Sequence, residues 1–275
     1  MEKKETTNFK KQSNTKKLVI ALIELKQICD EHGLPFWLNF GALLGMVREN
    51  RLLPWNNDVE LGCWADDAPH QKMIAVTDAL ALAGYNCFYY KSFGTLNIKK
   101  DIGVDININL YWRLGEHAVR PHETPSKFQD KHILASVFYW LSAYIYLYPG
   151  GVSQGFRRRN FRDTVKFTVY RVFAFTSPRI RKICFYKLLD LSEYFGGVFQ
   201  QTAIPKKYFC KLSANDFYGC EMNYPTQSEE LLALIYGKDW RIPKENWSWH
   251  HEDNKSTSGV VVIKNRFDYD QLDLE

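Results

Sequence analysis

Apolar residues recur at helical spacing from Leu18 onward: Leu18, Ala21, Leu22, Leu25, Ile28 and Cys29 fall on one face of a 3.6-residue repeat. Gly33 stands where a left-handed residue closes such a helix, and Pro35 stops it. The aromatic run from Phe36 to Phe40 reads as a strand, and a second helix is expected from Gly41 to about Asn50. Val59 to Trp64 reads as the next strand. Pro69 suits the first turn of a helix that continues through Ile74, Leu80 and Leu82 to Gly84. Residues 85–90, 96–99 and 104–110 are again strand-like. Helix and strand thus alternate over the first 110 residues, an α/β or α+β pattern.

The pattern changes after residue 112. Ile133 to Tyr148 is almost continuously apolar and aromatic, and Pro149-Gly150-Gly151 ends it. The run falls short of the roughly 20 residues that cross a bilayer. A buried core helix, an interfacial helix and a true span all remain open. Arg157–Arg159, Arg162 and the Arg179-Ile180-Arg181-Lys182 run supply the positive charge an interfacial helix needs, so residues 133–182 are where peripheral membrane contact is expected. The last segment is polar and aromatic, with a helix over Glu229–Ile235 and a strand-like run at Val260–Ile263. Residues 1–15 offer no apolar surface to offset ordering and read as a disordered basic arm. These shifts divide the chain into that arm, a core over 16–112, a helical aromatic and basic insertion over 113–205, and a C-terminal part of the core with its tail over 206–275.

Composition adjusts this picture in three ways. Of the 275 residues 45% are hydrophobic, enough for a sizeable core, and 15% are aromatic, an excess that suits sugar stacking or a membrane interface. The net charge of +5 favours phosphate-bearing substrates or anionic lipid, without the basic stripe of a nucleic-acid binder, so no nucleic-acid partner is expected. The six cysteines form no C-x-x-C pair, and Cys29, Cys63 and Cys87, each set among apolar residues, read as small buried hydrophobes in a reducing compartment. The stretch Met1–Lys17 is lysine-rich and has no apolar core for a secretory signal, which points to the cytoplasm and the inner face of the membrane.

The chemistry concentrates between Phe40 and Asp105. If Asp58 to Leu61 is a strand, Asp58 and Glu60 point to one face, because side chains alternate with period two. Two unpaired carboxylates there repel each other, and a hard divalent cation, Mg²⁺ or Mn²⁺, removes the conflict. Asp105, flanked by Val104 and Ile106, is placed to add a third carboxylate from a neighbouring strand. Gly41, where a strand enters a helix, lets the backbone approach a phosphate and offers it free N–H groups. Arg48, one or two turns on, is placed to reach the same phosphates.

These residues resemble the LicD/fukutin family of phosphotransferases within the nucleotidyltransferase-fold superfamily. The segment Gly41 to Arg48 is similar to the family's G-x-L-L-G-x-x-R, and Leu53 to Glu60 to its I-P-W-D-D-D-h-D; Tyr236-Gly237, Trp240 and Pro243 resemble a late Y-G-x-x-(aromatic)-x-x-P element. Two of the family's acids are Asn56 and Asn57 here, and its last Asp is Glu60. The resemblance implies an α+β fold, a nucleotidyltransferase-like core of mixed sheet flanked by helices, with a helical insertion. It also implies a metal-dependent phosphotransferase. Such an enzyme moves a phosphocholine- or polyol-phosphate-like group from a CDP-activated donor to a hydroxyl of a cell-surface glycan, such as a lipopolysaccharide or capsule.

By the same resemblance Asp58, Glu60 and Asp105 hold the metal and carry catalysis, while Gly41, Ala42, Leu44, Arg48, Trp55 and Asn57 line the substrate site; His250 is added to it on chemistry alone, since imidazole and aromatic groups suit glycan contact. Trp55 either stacks on a base or sugar or packs on the Pro54 turn. His250, with His251, Trp247 and Trp249, either lines the acceptor site or belongs to a surface aromatic cluster. Transfer of a nucleoside monophosphate, or a non-catalytic glycan-binding role suggested by Asn56 and Asn57, are the alternative readings.

Overall fold

The computed structural model describes residues 2–56, 58–100, 103–121, 133–151, 161–197, 199, 201–243, 261–263 and 267–268. The chain opens with α1 (Glu2–Glu31), so helical backbone continues through the polar stretch expected to be an arm. From Leu18 the apolar repeat is inserted in the core, with Leu18, Leu22, Leu25 and Cys29 at most 2% exposed. The helix ends as its sequence directs. Gly33 is left-handed (φ +63°), and the Leu34 N–H reaches back to the Cys29 carbonyl at 2.8 Å.

The expected strand at Phe36–Phe40 shortens to β1 (Trp37–Leu38), because Phe40 already begins α2 (Phe40–Glu49). There follow β2 (Val59–Trp64), α3 (His70–Leu82), β3 (Asn86–Tyr90), β4 (Thr95–Lys100), β5 (Val104–Leu114) and β6 (His117–Pro121). The apolar run Ile133–Tyr148 does not form one element. It divides into α4 (Ile133–Ile145) and the start of β7 (Leu147–Pro149), which pairs antiparallel with β3. No described helix is long and apolar enough to cross a membrane. Beyond it lie α5 (Phe161–Ala174), α6 (Pro178–Tyr194), β8 (Gln201–Pro205), the β9–β10 hairpin (Leu212–Phe217 and Cys220–Pro225), α7 (Ser228–Tyr236) and β11 (Val261–Ile263).

Nine of these strands make one mixed sheet in the order β11-β8-β6-β5-β4-β3-β7, with β2 also on β5 and β1 on β2. The mixed sheet flanked by helices is the α+β architecture expected of a nucleotidyltransferase-like core. Strand β5 is the hub. Its first half lies between β2, which is parallel, and β4, which is antiparallel, and its last residues pair with β6. The region after residue 112 is therefore not purely helical, since β6, β7 and β8 extend the sheet at both ends.

Alternation sorts the sheet into two faces. Val59, Leu61, Leu96, Ile98, Ile106 and Ile108 are fully buried in the cluster that includes α1 and α3 residues. The opposite face carries Asp58, Glu60, Asn97, Lys99, Asp105 and Asn107, and toward β3 it carries Phe88 and Tyr90, which join a second cluster with Tyr139 of α4 and Phe185 of α6. One face of the sheet makes the main core. The other is polar where β2, β4 and β5 meet.

Candidate active site

The parallel register pairs Val59 with Ile106 and Glu60 with Asn107, so one step earlier Asp58 stands beside Asp105. Asp58 keeps access to solvent, yet its pKa is raised, first by desolvation and then by the negative charge of Asp105. Asp105 is held by its antiparallel partner Lys99, whose Nζ donates to Oδ2 at 2.7 Å, and by Asn97 Nδ2, which donates to Oδ1 at 3.3 Å. The same Asn97 amide donates to Asn107 Oδ1 at 2.6 Å. Glu60 faces Arg120 of β6, with Nη1 4.0 Å from its Oε1. The face therefore gathers three carboxylates and edges them with two cations.

The glycine turn lies next to this face. The Asn39 N–H donates to the Glu60 carbonyl at 3.1 Å, and its fully buried Nδ2 donates to the Tyr111 hydroxyl at 2.8 Å, which ties the start of α2 to both β2 and β5. Phe40 then takes a left-handed backbone (φ +42°), a conformation that costs a bulky residue about 1–3 kcal/mol and is kept only where its surroundings enforce it. The close approach expected at Gly41 is real, but a protein group fills it: a Cβ there would meet Asn56 Nδ2 at 2.3 Å. Asn56 thus packs on the glycine turn.

Arg48 points its charge along the wall of the site. Its Nη2 donates to Glu49 Oε1 at 2.7 Å, its Nη1 donates to the Trp240 carbonyl at 3.5 Å, and its guanidinium lies 5.6 Å from the Trp55 ring centre. Trp55 is half-buried against the core, so the structure uses it to pack as well as to cover Arg48. Tyr236, at the end of α7, closes this wall. Its hydroxyl pKa is raised by burial and then by Glu60 and Asp58, while Arg48 pulls it the other way.

Of the residues singled out in sequence, Asp58, Glu60 and Asp105 share one face, and Gly41, Arg48 and Trp55 flank it. Ala42 and Leu44 are buried core residues of α2, so only their backbone remains for a ligand. Asn57 and His250 lie outside the described residues. Sequence reasoning passed over Arg120, Asn97 and Lys99. A cation alternating with apolar residues in His117–Pro121 was the available signal for Arg120. The others depend on strand pairing that the sequence does not display.

The donor set suits a hard divalent cation. Asp58 and Asp105 repel each other, and Glu60 stands two residues along the same face. Among the described residues, however, no three His, Cys, Asp or Glu side chains converge closely enough to form a metal cage.

A mixed sheet with a glycine-led helix beside paired acidic strands defines a nucleotidyltransferase-type domain. Residues 33–111, which hold α2, β2 and most of β5, match the LicD/FKTN/FKRP nucleotidyltransferase domain. It is 23% identical over 236 residues to the ribitol-5-phosphate transferase FKTN of Homo sapiens, 22% to that of Macaca fascicularis and 19%, over 234 residues, to that of Mus musculus. Each alignment takes in 84% of this chain but 35% of the relative, so the chain spans about a third of the length of the curated relatives it matches.

Proposed function

We propose that this protein is a phosphotransferase that moves a phospho-substituent, polyol phosphate or phosphocholine, from a CDP-activated donor to a glycan hydroxyl. The observation that carries the reading is the Asp58–Asp105 pair, set by the β2–β5 register beside the α2 turn, within the segment that matches the LicD domain. The names of the FKTN relatives favour ribitol phosphate as the group transferred. In the reaction the acceptor oxygen forms the new P–O bond, the bond to CMP breaks, and the hydroxyl proton passes to a carboxylate of this face. Asp58 and Asp105, with Glu60, would hold Mg²⁺ or Mn²⁺, whose chemistry is to neutralise charge on the donor diphosphate. Asn97 and Lys99 fix the Asp105 carboxylate, and Arg120 steadies Glu60. Positioning of this kind is what phosphoryl transfer chiefly asks of a protein.

The helices after residue 133 support a peripheral membrane role for the same enzyme. Ile133, Phe161, Val172 and Phe175 are exposed large hydrophobics, Phe175 at 84%, with Arg179, Arg181 and Lys182 following in the chain.

The direct test supplies CDP-ribitol, CDP-choline or CDP-glycerol with Mg²⁺ and follows CMP. Wild-type protein releases CMP and Asp58→Asn does not. Equal release by both proteins overturns the site, and pyrophosphate in place of CMP, from a nucleoside triphosphate, makes the reaction nucleotidyl transfer.

A further inference from the structure

The β9–β10 hairpin is a two-stranded sheet of its own, separate from the nine-stranded one. Phe217 and Met222 are buried in the main core, and Asn223 Nδ2 donates to the Phe36 carbonyl at 3.4 Å, which fastens the hairpin beside β1. Phe217 pairs with Cys220, so the turn consists of Tyr218 and Gly219, both left-handed (φ +60° and +76°). That is the backbone of a type I′ turn, whose first position is ordinarily asparagine, aspartate or glycine, because a bulky side chain there is strained. This hairpin places a tyrosine in it.

The tyrosine hydroxyl reaches a distant part of the chain. The N–H of Leu52, a buried residue, donates to Tyr218 Oη at 2.9 Å. A buried N–H must find an acceptor, and here a side chain from the hairpin supplies it. Leu52 belongs to residues 51–56, which leave α2 at the left-handed Asn50 and lead to Asp58. Both ends of this stretch are tied to α2. The Arg51 N–H donates to the Gly45 carbonyl at 3.3 Å, and a Cβ on Gly45 would lie 2.4 Å from the Arg51 carbonyl oxygen. At the other end Asn56 packs on Gly41. The Tyr218 hydroxyl instead ties the stretch to a segment 166 residues away.

We propose that Tyr218 is a positioning residue for the carboxylate face: by accepting from Leu52 it holds residues 51–56 in place and thereby sets where Asp58 stands against Asp105. The ladder between β2 and β5 begins at Val59, so it fixes Asp58 from one side, and the 51–56 stretch fixes it from the other. Asparagine at 218 would relieve the turn and lose the contact, which is the physical reason for a tyrosine in a strained position. For turnover the assignment rests on the proposed transferase reading, since phosphoryl transfer is sensitive to displacements well below 1 Å. The hold on the loop does not depend on that reading.

Hydrogen exchange read by mass spectrometry on the full chain, with CMP release measured alongside, tests this on Tyr218→Phe. The variant keeps the ring on Phe217, whose centre is 4.7 Å away, and removes only the hydroxyl. Peptides covering residues 51–58 should exchange about fivefold faster, the factor for loss of one hydrogen bond, while β5 and the β9–β10 strands keep wild-type rates. With CDP-ribitol, CDP-choline or CDP-glycerol and Mg²⁺, kcat should fall about tenfold while the donor KM stays within about twofold, because a displaced Asp58 is felt in the transition state. Ser213→Ala, which breaks the 2.9 Å contact of Ser213 Oγ with Thr226 Oγ1 in the same hairpin, should leave both measurements at wild type. Unchanged exchange over 51–58 in Tyr218→Phe, or an equal change in Ser213→Ala, overturns the hold on the loop. Faster exchange with kcat unaltered overturns the positioning role. A wild-type protein that releases no CMP from any donor, with the loop still freed in Tyr218→Phe, leaves the hold standing and removes the transferase reading.

Discussion

Replacing Lys166 by methionine should make this protein more stable. In the folded chain burial carries the Lys166 pKa from 10.5 down to about 8. At neutral pH that depression corresponds to about 3 kcal/mol of unfavourable free energy in keeping the ammonium charged inside the fold. Methionine has a similar length and no charge, so the cost disappears, while the contacts of the ammonium with Phe88 and Tyr90, worth about 1–2 kcal/mol together, are lost. The expected net gain is about 1–2 kcal/mol near pH 7. Lys166 binds fewer protons folded than unfolded between its two pKa values, so wild-type stability rises with pH from about 8 toward 10.5. The advantage of the variant should shrink over that same interval and vanish above it. Urea denaturation of both proteins at pH 7, 8, 9 and 10 measures this, and the difference between them cancels every other titrating group. A variant less stable than wild type at pH 7, or an advantage that does not change with pH, refutes the account of Lys166 as a desolvated cation.

Divalent cation should raise the thermal midpoint of the wild-type protein by several degrees at saturating Mg²⁺ or Mn²⁺, since binding at 100 times Kd is worth about 2.7 kcal/mol; differential scanning fluorimetry should show no such shift for Asp58→Asn. Because the Asp58 pKa is raised by burial and by Asp105, its ionised form costs stability above that pKa, so without metal Asp58→Asn should be at least as stable as wild type at pH 7 and should lose that advantage on acidification. Gly62→Ala should destabilise by about 1–3 kcal/mol in urea, because the new methyl would lie 2.4 Å from the Trp37 ring, which is itself stacked on Phe209. Flotation with liposomes containing anionic lipid should recover the wild-type chain, and Phe175→Asp, which removes an exposed aromatic beside Arg179 and Arg181, should weaken recovery several-fold.

Much of the core was written in local pattern. The stretch from Leu18 to Gly33, the strand Val59–Trp64 and the helix opened by Pro69 carry periodicity and end signals that need no distant partner, and the structure follows them to within a few residues. The D-x-E spacing likewise put Asp58 and Glu60 on one face wherever β2 came to lie. Tertiary structure alone decided what stands opposite. The parallel β2–β5 register brought Asp58 to Asp105, the antiparallel β4–β5 register brought Lys99 and Asn97 to the same carboxylate, and β6 delivered Arg120 to Glu60. The division of Ile133–Tyr148 was also a tertiary outcome. A uniformly apolar run satisfies a helix or a strand equally well, and the open edge of β3 captured its end as β7. Composition reveals which residues seek burial or charge compensation. The pairing of strands far apart in sequence determines which of them meet, and here that pairing assembles the site.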